Sequence, residues 1–166
     1  MRSLDIILKL GNIEMSAEQK NSLADKKNNW FVDYLKHMKP DEIFPGVKEL
    51  LVRLRDSNLR VGLASSSKNA MMVVELLGIR QDFDTIIDGT MIVNSKPDPE
   101  IFLLAAKRLG ISPERCLVFE DAEAGVEAAL SAGMKCIGVG NLATLGKANI
   151  VIEHTGQFTM ELLKQL

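Results

Sequence analysis

The chain has 166 residues, 46% of them hydrophobic and 25% charged, with a formal net charge of −2. That length suits one domain, or one domain with a small appendage, and can bury a sizeable core. The absence of a basic block argues against a nucleic-acid partner; with no apolar run of about 18 residues and no signal-peptide pattern, no membrane contact is expected and a cytoplasmic location is the default.

Residues 1–39 read as helical. Leu4, Ile7 and Leu8 share a face before Gly11, and Ser16 followed by Gln19 is a capping box opening a longer helix. Leu23, Trp30, Phe31, Tyr34, Leu35 and Met38 recur there at helical spacing, and Trp30 and Tyr34 are expected in the packing of this segment. Pro40, Pro45 and Gly46 break the pattern, which places a boundary or hinge between 1–39 and 40–166. Helix and strand then alternate. A helix over Val47–Asp56 leads to a strand over Arg60–Ser65, a helix over Asn69–Leu77 and a strand over Thr85–Asp88. Asp98–Pro99 opens a helix that Gly110 closes, and Cys116–Phe119 is the next strand. A helix from Ala124 to Ser131, strands at Lys135–Val139 and Ile150–Ile152, and a terminal helix from Phe158 to Leu166 complete the order. Near-continuous apolar strands between helices argue a parallel sheet covered on both faces, with ligands gathering beyond the strands' carboxyl ends.

Three segments fall at those ends. The first, Ser65–Ser66–Ser67–Lys68–Asn69, brings hydroxyls and a cation to a helix start, which suits an anion such as phosphate or serves simply as a cap. The second is Lys96 in Ser95–Lys96–Pro97–Asp98–Pro99, where proline fixes the backbone and a helix begins at once; an ordinary helix opening has the same composition. The third is the carboxylate pair Glu120–Asp121, whose hard oxygens suit Mg2+ or, equally, solvent. Cys116 and Cys136 sit in apolar runs outside any Cys-x-x-Cys spacing and read as small buried thiols; His37 and His154 read as surface residues.

The order of these segments resembles the haloacid dehalogenase superfamily of phosphotransferases. Ser65–Asn69, the Ile43–Gly46 hinge and Gly138–Val139–Gly140 are similar to the branch of β-phosphoglucomutase and its relatives. The resemblance implies an α/β fold: a Rossmann-like, three-layer parallel-sheet core over 40–166 and a partial helical cap over 1–39. It implies that Ser65 and Lys96 hold the transferring phosphoryl group and that Glu120 and Asp121 bind Mg2+. Ser66, Ser67, Lys68 and Asn69 would grip the non-reacting phosphate of a phosphorylated sugar, with Lys27 and Asn28 facing the sugar from the cap. The implied reaction interconverts β-glucose 1-phosphate and glucose 6-phosphate; a sugar-phosphate phosphatase, or a non-catalytic binding module, is the alternative.

One departure qualifies this. The family carries its nucleophile and acid/base in an Asp-x-Asp motif closing a first, central strand, and no Asp-x-Asp follows an apolar strand in this sequence. Asp82–Phe83–Asp84 has the spacing but precedes its strand. The expectation is therefore a truncated chain, inactive alone, whose sheet lacks its first strand. Such a strand is worth on the order of 5 kcal/mol in net hydrogen bonds. The chain is accordingly expected to be marginal alone, to self-associate, or to take a strand from a partner. Ala122, where relatives often carry serine, is a smaller departure.

Overall fold

The computed structural model describes the backbone of residues 2–166 and the side chains of residues 4–166. The reading of Met1 as already inside the cap lies outside the described residues. Two compact units emerge, residues 1–39 and 40–166. Among the described residues no helix is long and apolar enough to cross a membrane.

The first unit is a helix pair, α1 (Arg2–Leu10) and α2 (Ala17–Leu35). The capping box is present: the Gln19 amide donates to Ser16 Oγ at 3.2 Å, and the Ser16 amide to Gln19 Oε1 at 2.9 Å. Lys20 on α2 pairs with Asp5 on α1 at 2.6 Å. Leu8 and Leu35 are buried. Trp30 and Tyr34 are not, at 65% and 61% exposed, which corrects the expectation that they pack inside. Lys, Asp and Asn interrupt the apolar positions of α2. Too narrow a stripe is left to cover two aromatic rings, and Trp30 instead lies 5.1 Å from the Lys26 ammonium.

The second unit contains α3 (Val47–Asp56), β1 (Gly62–Ala64), α4 (Ala70–Leu76), β2 (Thr85–Ile87), α5 (Glu100–Leu109), β3 (Leu117–Glu120), α6 (Glu123–Ser131), β4 (Lys135–Val139), α7 (Leu142–Leu145) and β5 (Ile150–Ile152). All strand pairings are parallel, in two groups: β1 with β2, and β3–β4–β5. β1 is shorter than the sequence suggests, although Ser65 N–H still donates to Ile87 O at 2.9 Å and Asp84 N–H to Val61 O at 2.8 Å.

Alternation along the strands builds a layer on each face. Ile87, Val118 and Cys136 point to one side, where they pack with Ile101, Phe102 and Ala105 of α5 and Val126 and Ala129 of α6. On the other side Ile137 and Ile152 pack with Phe158 and Leu50, while Ile86 packs with Val74, Ile79 and Leu51. Adjacent residues of α3 thus serve both strand groups. This is the three-layer α/β arrangement, with a break in hydrogen bonding between β1 and β3.

Two local readings need correction. The C-terminal segment is a run of 3-10 turns over Met160–Gln165, not an α-helix from Phe158. Phe158 is buried and extended, so the chain is pinned before a helix can begin. The short helix α7, capped by Asn141 Oδ1 accepting from the Ala143 amide at 2.8 Å, is absent from the sequence reading because it is one turn long.

Candidate active site

Lys96 joins the two strand groups. Its Nζ donates to the carbonyl of Ala64 at 3.4 Å, at the end of β1, and to Glu120 Oε1 at the end of β3. It also lies 4.6 Å from the centroid of the buried Phe102 ring. The segment that sequence spacing singles out therefore touches the residue before Ser65 and the residue before Asp121. Asp121 is exposed and opens the turn into α6, whose N-cap residue, Ala122, offers no side-chain cap.

The serine loop is shaped by its own hydroxyls. Ser65 Oγ accepts from the Ser67 amide, and Ser67 Oγ from the Asn69 amide, both at 3.2 Å. One N–H at the start of α4, expected to be open to an anion, is thus already satisfied, and α4 has only 7 residues. Ser66 and Lys68 face solvent. Lys27 and Asn28 lie in the first unit, on α2, with Lys27 Nζ 5.4 Å from the Phe31 ring. Asp82 and Asp84 sit at the opposite end of the strands, where Asp84 Oδ2 accepts from Val61 N–H at 2.7 Å and Asp82 meets Arg55 at 3.2 Å.

Three further contributors act across segments; Asp88 and Gly89 escape sequence reading, whereas Gly125 is legible only as the glycine that follows the acid pair. Asp88, buried at the end of β2, accepts from the Thr90 amide at 2.8 Å and its hydroxyl at 2.6 Å, fixing the turn. Gly89 lies so close to the serine loop that a Cβ there would be 2.2 Å from Ser66 O. Gly125 stands equally close to the Glu120 carboxylate. The Asp-Gly pair is a turn signal, but which loop the glycine would meet is not written locally.

Cys136, beneath Glu120 in the adjacent strand, has its thiol pushed up to about 11 by burial, reinforced by the Glu120 charge and opposed by Lys96. It is no nucleophile at neutral pH. Cys116 is also raised, by burial first and then by Glu114.

The donor chemistry fits Mg2+ only in part. Asp121 and Glu120 are hard oxygen donors of the kind Mg2+ takes one or two at a time, with water and phosphate completing its shell. Among the described residues no cluster of three or more His, Cys, Asp or Glu could hold a metal.

A family model for haloacid dehalogenase-like hydrolases matches residues 3–133. β-Phosphoglucomutase of Bacillus subtilis is 40% identical over 165 residues, spanning 98% of this chain and 73% of that protein. A phosphorylated-carbohydrate phosphatase of Thermotoga maritima is 36% identical over 149 residues, spanning 87% and 66%. The crystal structure of β-phosphoglucomutase from Clostridium difficile superposes with a TM-score of 0.92 at 42% identity, covering 99% of this chain and 74% of that one. The chain belongs to the haloacid dehalogenase-like hydrolase family and is a β-phosphoglucomutase-like member of it.

Proposed function

We propose that residues 40–166 supply the phosphate- and Mg2+-binding side of a cytoplasmic phosphosugar mutase acting on β-glucose 1-phosphate and glucose 6-phosphate. The observation that carries this reading is Lys96, held between the end of β1 and the carboxylate at the end of β3. A phosphoryl group bound beside Ser65 would meet its charge there. Lys96 and the Ser65 hydroxyl neutralise and orient that group. Ser66, Ser67, Lys68 and Asn69 bind the second phosphate of a bisphosphate intermediate; the family resemblance alone assigns Lys27 and Asn28 to the sugar. Asp121, with Glu120 behind it, would hold Mg2+, which offsets phosphoryl charge when bound. The attacking carboxylate is not assigned to any of these residues. The break between β1 and β3 is where a strand ending in Asp-x-Asp would carry it.

The test is 31P NMR of β-glucose 1-phosphate with Mg2+, a trace of glucose 1,6-bisphosphate to supply the first phosphoryl group, and residues 1–166, alone and joined to a strand segment ending in Asp-x-Asp. Residues 1–166 alone are expected to form no glucose 6-phosphate, and the joined chain to form it. Release of inorganic phosphate instead identifies a phosphatase. Turnover by residues 1–166 alone, or none by the joined chain, contradicts the proposal.

A further inference from the structure

Gly125 lies in α6, a helix otherwise rich in alanine (Ala124, Ala128, Ala129). Alanine is the better helix former, so local propensity favours it here too. The backbone gives no reason for glycine, because Gly125 has ordinary helical geometry and is absent from the positive-φ glycines. The reason is spatial. A Cβ on Gly125 would lie 2.1 Å from the Glu120 carboxyl carbon and from Oε2, and 2.5 Å from Oε1. The carboxylate occupies the space a side chain would fill, and from there Glu120 Oε1 accepts from Lys96 Nζ.

We infer that Gly125 is the positioning residue of the Glu120–Lys96 pair: its missing side chain is the seat that turns the Glu120 carboxylate toward the lysine. The inference deepens the proposed phosphate site, on which its functional meaning rests, but the seat itself is a property of the fold. The atoms that clash are the far end of a flexible side chain, so Gly125→Ala displaces the carboxylate and leaves the backbone of α6 in place.

The experiment is a double-mutant cycle in residues 1–166, with Gly125→Ala made in the native and in the Glu120→Ala backgrounds. Urea unfolding and the Lys96 Cε–Hε NMR signal are read for each. In the native background Gly125→Ala is expected to lower the folding equilibrium constant at least ten-fold and to shift the Lys96 signal to that of the Glu120→Ala protein. In the Glu120→Ala background the same change is expected to be neutral or stabilising, because the seat is empty. Glu120→Asp, one methylene shorter, is expected to restore part of the stability and of the Lys96 shift to Gly125→Ala. An equal loss in both backgrounds, or a Lys96 signal unmoved by Gly125→Ala, overturns the inference. Neither readout needs a sugar phosphate, so failure of the mutase reading and failure of the seat are separate results.

Discussion

At the end of β3 a carboxylate with 8% of its side chain exposed meets an ammonium with 16% exposed, so both ions have lost most of their hydration. Such a pair adds little over an apolar substitute, but removing one partner strands the other. Lys96→Met is accordingly expected to lower stability by about 3 kcal/mol, measured by urea unfolding, with Lys96→Met/Glu120→Leu recovering much of the loss. Gly89→Ala belongs to the same scale. A methyl group 2.2 Å from a main-chain oxygen cannot be relieved by a side-chain rotation, so the 65–69 loop must move. A cost of about 2 kcal/mol is expected, read from the urea midpoint, together with weaker phosphate binding. Lys96 was legible in the sequence because its neighbours are unusual: proline directly after it and an Asp-Pro helix start. Gly89 was not, and Gly125 was legible only as the glycine after the acid pair, because what matters at each is an atom of another segment. Trp30 and Tyr34 failed in the opposite direction, since helical spacing gives a face but not what covers it.

Among elements, β4 and β5 match their sequence reading residue for residue, because short apolar runs bounded by glycine and asparagine admit little else. The C-terminal segment does not: Phe158, Leu162, Leu163 and Leu166 have helical spacing, yet contact with the β4–β5 face selects tighter turns. Phe158 is the anchor, edge-on to Phe119 with centroids 5.1 Å apart. Phe158→Ala is expected to cost about 3–4 kcal/mol in chemical unfolding. In β4 the Cys136 thiol gives a pH signature. Its value is raised from the ordinary 9.0 to about 11, so above pH 9 the unfolded chain has released a proton that the folded chain keeps. Stability then falls as pH rises from 9 toward 11, by about 2–3 kcal/mol in total. Cys136→Ala is expected to show a correspondingly shallower alkaline decline in thermal unfolding between pH 8 and 11.

For the whole molecule, order and layering were readable because strands and helices alternate with distinct periods, and the parallel fold follows from that alternation. The break in the sheet was anticipated only through the family resemblance; composition and periodicity carry no mark of it. In the structure, α3 on one face and α5 and α6 on the other hold the two strand groups together, and Lys96 bridges them at the rim. The account depends on that rim being a joint phosphate and Mg2+ site. Calorimetric titration of inorganic phosphate into residues 1–166, with and without Mg2+, tests this most directly. The expected result is binding that Mg2+ tightens about ten-fold, lost in Lys96→Met and made Mg2+-independent in Asp121→Asn. Absence of phosphate binding, or binding indifferent to both substitutions, would contradict it.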